Sequence, residues 1–211
     1  MTRGRFITFE GGEGTGKSTQ ARRLADALRA DGREVVLTRE PGGSPGAEAV
    51  RDLVVNGDKD RWSPVAETLL MYAARADHLD RIIRPALARG AWVVCDRFSD
   101  STRAYQGLAG GAVPELIEAI DAAVVGPDRP DLTLIFDLPP ETGLERAAAR
   151  GGEARFEAKG ADYHRKLANA FRTLAGRGEG RVLIDASGAP DEVAARVDAA
   201  LRQALPLEAG A

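Results

Sequence analysis

Near its amino end the chain reads Phe6-Ile7-Thr8-Phe9-Glu10-Gly11-Gly12-Glu13-Gly14-Thr15-Gly16-Lys17-Ser18-Thr19. Gly11 to Ser18 satisfy G-x-x-x-x-G-K-[ST] without a mismatch. The four residues from Phe6 to Phe9 read as a short buried strand. Lys17 to Leu28 read as a helix with Ala21, Leu24, Ala25 and Leu28 on one face. Strand, glycine-rich turn and helix together make a phosphate cradle. Glycines let successive backbone N–H groups converge on an anion. The helix presents its unpaired N–H groups and positive dipole end to the same anion. In such a cradle Gly11, Gly12, Glu13, Gly14, Thr15, Gly16, Lys17, Ser18 and Thr19 surround the nucleotide phosphates. Lys17 reaches the β- and γ-phosphates, and the Ser18 hydroxyl can ligate Mg²⁺. Glu13 is unusual there. A carboxylate is repelled by phosphate, so it must face a cation, a metal-bound water or a sugar hydroxyl.

Strand and helix patterns alternate over the rest of the chain. Further strands are expected at Glu34–Thr38, Ala91–Cys95, Leu132–Leu138 and Arg181–Asp185. Helices are expected at about Ala47–Val55, Ser63–Arg89, Ser99–Leu108, Pro114–Val124, Pro139–Arg150, Ala161–Leu174 and Asp191–Leu205. Apolar strands alternating with helices imply a five-stranded parallel sheet flanked by helices, an α/β architecture. With no internal repeat and no linker, one domain over residues 1–211 is the economical reading. Ligands are then expected at the carboxyl ends of the strands.

The formal net charge of −3 argues against a nucleic-acid-binding role. Cys95 is the one cysteine, so no intrachain disulfide can form. A first strand so close to the start leaves no room for a secretory leader, and no apolar run is long enough to span a membrane. A reducing cytoplasm is the expected location.

Beyond the loop, the third strand runs into Asp96-Arg97-Phe98-Ser99-Asp100-Ser101-Thr102. An Asp directly after a buried strand in this fold suits a Mg²⁺-bound water, and Arg97 beside it suits phosphate. In the long helix, Val65, Leu69, Tyr72, Ala76, Leu79 and Ile83 recur at i+3/i+4 and are expected to face the core. Thr68, Met71, Arg75 and His78 form a second stripe about 100° away, open to a cleft or to solvent. The arginine-rich segment from Glu145 to Glu157 has the composition of a lid that closes on phosphates, and equally that of a solvated charged loop. Cys95 is read as packing, and His78 and His164 as lacking partners at metal-ligand spacing.

The chain resembles the thymidylate kinase (dTMP kinase) family, of the bacterial type with lid arginines. Phe9–Gln20, Thr38-Arg39-Glu40-Pro41-Gly42-Gly43-Ser44, Tyr72-Ala73-Ala74-Arg75, Asp96–Gly107 and Arg150-Gly151 with Arg155-Phe156-Glu157 carry the likeness, in the family's order. The resemblance implies a P-loop nucleoside monophosphate kinase architecture, ATP and Mg²⁺ as cofactors, dTMP as substrate and a homodimer packed through helices. It implies that Lys17 and Ser18 serve ATP and Mg²⁺, the metal being held through Ser18 and Asp96. Glu13 faces the 3′-hydroxyl, Arg39 and Arg97 hold the dTMP phosphate, and Arg75 and Thr102 bond the thymine edge. Tyr105 crowds the 2′ position and Gln106 closes the base pocket, whose walls include Pro41, Met71 and Ser101. Lys17, Arg97, Arg150 and Arg155 form the catalytic set, the last two from a lid at about 150–160. The peptide before Pro41 is implied to be cis. Met71 stands where the family usually has a stacking Phe, and Ala154 where its lid often has Asp. A rival enzyme reading is a small-molecule kinase of the same fold acting on another nucleotide. A guanine-nucleotide switch would carry Asn-Lys-x-Asp, which does not occur here.

Overall fold

In the computed structural model, residues 3–56, 58, 60–149 and 159–205 are described. The strands are β1 Phe6–Gly11, β2 Val35–Arg39, β3 Trp92–Asp96, β4 Leu132–Asp137 and β5 Arg181–Asp185. The first helices are α1 Lys17–Ala30, α2 Pro45–Val55 and α3 Pro64–His78. A π-helical stretch at Leu79–Ile83 joins α3 to α4 Arg84–Ala88. Then come α5 Ser99–Thr102, a second π-helical stretch Arg103–Leu108 and α6 Pro114–Val124. The set closes with α7 Pro140–Ala148, α8 Ala161–Ala175 and α9 Pro190–Ala204. Proline opens α2, α3, α6, α7 and α9 at the first turn. It costs no hydrogen bond there, because those N–H groups have no partner within the helix.

All strand pairings are parallel, in the order β2-β3-β1-β4-β5. After β1 the chain passes over β3 to reach β2; after β3 it passes over β1 to reach β4. The carboxyl ends of β1 and β3 therefore feed connections that leave in opposite directions, which opens a crevice between them.

The two faces of the sheet are built differently. Ile7, Phe9, Trp92, Val94, Leu132, Leu134 and Phe136 pack against α1 and α9 in one apolar layer. The alternate residues of β1 face the other way, and two of those three are polar: Thr8 and Glu10, both buried. Thr8 is satisfied by the Thr133 hydroxyl of β4 at 3.0 Å. Glu10 reaches the turn after β3, as described below. A strand that reads as apolar thus has one greasy face and one that props the site.

The long helix corrects one expectation. Tyr72, Leu79 and Ile83 are buried as expected, but Val65 is 43% exposed and Leu69 52%. Of the second stripe, expected to meet a cleft or solvent, Met71 and Arg75 line the cavity described below, and Thr68 and His78 are buried with them. The helix turns that flank inward because Arg75 and His78 find a buried carboxylate, Glu40, on the neighbouring loop. Hydropathy spacing cannot register a partner so far away in the chain.

Candidate active site

A cavity of about 390 Å³ lies at the carboxyl ends of β1, β2 and β3. Its lining includes Glu13 to Ser18, Arg39, Pro41, Met71, Arg75, Asp96, Arg97, Ser101, Thr102, Tyr105 and Gln106. One crevice therefore joins the glycine-rich loop to nearly every other residue singled out in the sequence. Gly11, Gly12 and Thr19 are outside that lining; Gly11 and Gly12 instead lend carbonyls to Arg97 and Lys17. Arg150 and Arg155 fall outside the described residues.

The loop is pressed between strand and helix. Gly14 has φ +65°, and a Cβ there would stand 1.8 Å from the carbonyl oxygen of Gly143 in α7. Only glycine fits at that approach. Lys17 is buried, and its ammonium donates to the Gly12 carbonyl and to Thr15 Oγ1 at 3.1 Å. Burial and the nearby Arg97 guanidinium push its pKa down to about 8.

Ser18, the second residue of α1, donates its hydroxyl to Asp96 Oδ2 at the end of β3. Asp96 Oδ1 is buried without a protein partner. A hydroxyl beside a carboxylate with a spare oxygen is a donor set of the hard, oxygen type that suits Mg²⁺. Among the described residues no three His, Cys, Asp or Glu side chains cluster as a protein-only metal cage.

Arg97 is the centre of the charge array. Its backbone has φ +72°, the left-handed region that non-glycine residues rarely adopt. Its amide donates to the Phe9 carbonyl at 2.9 Å, and Nη1 donates to Gly11 O at 2.9 Å and Ser101 Oγ at 3.3 Å. Nη2 meets both oxygens of Glu13 at 3.1 Å. Of the three partners open to Glu13, a cation, a metal-bound water or a sugar hydroxyl, it meets a cation here, Arg97. Tyr105 donates its hydroxyl to Glu13 Oε1 at 2.6 Å, and the guanidinium lies 5.0 Å from the Tyr105 ring centre. Burial favours the neutral form of Glu13, but Arg97, Lys17 and the Tyr105 hydroxyl outweigh it and push its pKa down to about 2.

The Arg97 turn is held from beneath. Glu10 Oε1 accepts the Phe98 amide at 2.8 Å, and Oε2 accepts the Ser101 hydroxyl at 2.6 Å. Burial, with Asp100 adding repulsion, pushes the Glu10 carboxyl up to about 7.

The other end of the cavity is built for a flat polar group. Arg75 donates Nε to Glu40 at 2.8 Å and Nη2 to Thr102 Oγ1 at 3.1 Å. Its guanidinium lies over the Tyr72 and Phe98 rings at 4.6 and 5.0 Å. The π-helical stretch after α5 carries Tyr105 and Gln106 to the cavity, and Gln106 Nε2 donates to Glu67 at 2.8 Å. The Glu40-Pro41 peptide is cis. Arg39 is half-exposed and paired with Glu48 at 3.0 Å.

Several contributors carry no motif of their own. Arg51 lines the cavity, donates to the Pro41 carbonyl at 2.8 Å and feels the charges of Arg39 and Arg97. Glu40, Glu67 and Glu10 are buried acids whose partners lie far off in sequence. Glu10 and Glu40 sit inside stretches that carry the family likeness, while Glu67 had no sequence signal.

A glycine-rich loop before a helix, an Asp–Ser pair beside it and one cavity that continues from them along the ends of the parallel strands define a P-loop protein of the nucleoside monophosphate kinase architecture. A model of the family described as thymidylate kinase matches residues 9–197. Thymidylate kinase from Caulobacter vibrioides is 60% identical over 98% of this chain and 100% of its own length. That from Bradyrhizobium diazoefficiens is 56% identical over 96% of this chain and 91% of its own. The crystal structure of thymidylate kinase from Ehrlichia chaffeensis superposes with a TM-score of 0.76 at 31% identity, covering 94% of this chain and 99% of that one. The chain belongs to the thymidylate kinase family.

Proposed function

We propose that the protein transfers the γ-phosphoryl group of ATP to the phosphate of dTMP, giving dTDP and ADP. The observation that carries this reading is the single crevice in which the phosphate loop, Arg97 and the cavity walled by Met71, Arg75 and Tyr105 meet. In it Lys17 and the amides of the loop bind the ATP phosphates. Arg97 and Arg39 hold the dTMP phosphate, with Arg51 adding charge beside them. Arg75 and Thr102 bond the polar edge of thymine, Gln106 and Pro41 close the pocket, and Met71 lies on the ring. Glu13 takes the 3′-hydroxyl, while Tyr105 fills the space a 2′-hydroxyl would need. Ser18 and Asp96 would hold Mg²⁺, which when bound supplies positive charge at the phosphate oxygens.

The acceptor is already an anion, so no general base is required. The obstacle is repulsion between two polyanions, together with water as a competing acceptor. Positioning and converging positive charge meet the first. Arg150 and Arg155, from a lid in a single domain that spans residues 1–211, answer the second by closing over the phosphates. The reaction is assigned to the cytoplasm. The chain is assigned as a homodimer, for which the exposed Val65 and Leu69 on α3 supply an apolar face.

Incubation with ATP, Mg²⁺ and dTMP, followed by ion-exchange chromatography, tests the reading. Equal amounts of dTDP and ADP are expected. In Arg97→Ala the yield per unit time is expected to drop by about 10²–10³ with the circular dichroism spectrum unchanged. ADP without dTDP would contradict the proposal.

A further inference from the structure

A buried chain of hydrogen bonds runs away from the cavity behind Arg75. Arg75 Nε donates to Glu40 Oε2 at 2.8 Å. The other oxygen of the same carboxylate, Oε1, lies 2.9 Å from His78 Nδ1. His78 Nε2 in turn lies 2.7 Å from Thr38 Oγ1, at the end of β2. Arg75, Glu40 and His78 are all nearly inaccessible to solvent. The ion-paired carboxylate can only accept, so Nδ1 carries the proton toward Glu40. In the neutral ring Nε2 then accepts from the Thr38 hydroxyl. Every group in the chain has one orientation that satisfies its neighbours.

The chain is also clamped sterically. Gly43 has φ +87°, and a Cβ there would stand 2.4 Å from Thr38 Oγ1 and 2.5 Å from His78 Nε2. The loop backbone therefore lies directly against the imidazole. Thr102 holds Nη2, and the Tyr72 and Phe98 rings lie 4.6 and 5.0 Å from the guanidinium, so Nε and Nη2 are both held by the protein.

His78 and Thr38 are outside the cavity lining, yet through Glu40 they bond to the residue that faces it, Arg75. A guanidinium donates and never accepts. Fixed in place, it rewards a carbonyl on the base and penalises an amino group. Free to swing aside, it would admit both.

We infer that His78 and Thr38 are positioning residues which, acting through Glu40, hold Arg75 so that the enzyme prefers a base carrying oxygen at the 4-position over one carrying an amino group. The inference rests on the reading above in which Arg75 meets the polar edge of the base. It adds that selectivity is set at residues that never touch the nucleotide.

The test compares kcat/KM for dTMP and for 5-methyl-dCMP, which has an amino group in place of the 4-carbonyl and lacks the N3 proton. In His78→Leu the dTMP preference is expected to fall by about tenfold or more, because Glu40 loses one of its two restraints. His78→Asn keeps an amide donor near the position of Nδ1 and is expected to restore most of the preference. Thr38→Val, a change of one hydroxyl for a methyl group, is expected to lower the preference by about threefold. It decides the matter should His78→Leu fail to fold. A merely structural role would lower melting temperature or kcat for both substrates alike. An unchanged ratio in Thr38→Val and in any folded His78→Leu protein overturns the inference. Absence of dTMP turnover by the unsubstituted protein sinks the proposed function and the inference with it.

Discussion

Lys17 shows how a single residue can tie pH to function. Its ammonium is buried beside Arg97, which together lower its pKa to about 8. Above that pH the free protein loses the charge that attracts the ATP phosphates. kcat/KM for ATP is therefore expected to fall as pH rises through about 8, and a flat profile well beyond that value would contradict it. Glu10 supplies a stability counterpart. Its pKa is raised from 4.5 to about 7, so the folded chain binds the proton more tightly than the unfolded one. That contribution is fully present below pH 4.5 and is lost as pH rises through about 7. Asp100, Arg97 and Lys17 are the charged groups that face it. Urea titrations of the parent and Glu10→Gln are expected to show the parent's relative stability declining across that window, and parallel curves would contradict it. Of the two arginines proposed to close over the phosphates, Arg155→Ala is expected to lower kcat more than it raises KM for dTMP; an effect confined to KM would remove Arg155 from the transfer step.

At the scale of elements, the glycine-rich loop depends on a contact with α7. Gly14→Ala would put a methyl group 1.8 Å from the Gly143 carbonyl oxygen, in a left-handed backbone. A loss of at least about 1–2 kcal/mol is expected, with weaker ATP binding, measured by urea midpoint and by calorimetric titration. The elements themselves were legible in advance. All five strands, the order of helices and the cradle follow from alternating apolar patterns punctuated by glycine and proline. Asp96 and Arg97 could be placed from the carboxyl end of β3, whereas the gathering of Arg75, Thr102 and Tyr105 around them was implied by the family resemblance alone. What could not be read was which flank of α3 turns inward. Val65 and Leu69 have the spacing of core residues, yet they are exposed, while Arg75 and His78 are buried by pairing with Glu40. A charged pair formed across 35 residues leaves no periodic trace. The same holds for Glu10, whose partners Phe98 and Ser101 lie 88 and 91 residues on. Leu69→Asp probes the exposed flank. If the homodimer uses α3, sedimentation should show the variant at half the mass of the parent, and an unchanged mass would exclude that face.

The whole molecule is a sheet whose two faces divide the labour. One is an apolar layer against α1 and α9; the other carries Thr8 and Glu10 toward the turn that aims Arg97. The α1 side positions the loop, and on the other side Glu10, set among apolar residues such as Phe6, Val93 and Cys95, positions the charges that a polyanion meets. Because both nucleotides bind the folded chain alone, each should raise its melting temperature. Saturation at about 100 times Kd corresponds to about 2.7 kcal/mol, or roughly 5–10 °C for a chain of this size. The central claim is that this crevice exists to bring ATP and dTMP end to end. It is tested most directly by the initial rate of ADP release with ATP, Mg²⁺ and each nucleoside monophosphate supplied in turn. The account predicts rapid release with dTMP and little above background with the purine monophosphates or with none. Release that is indifferent to the monophosphate, or fastest with a purine, would contradict it.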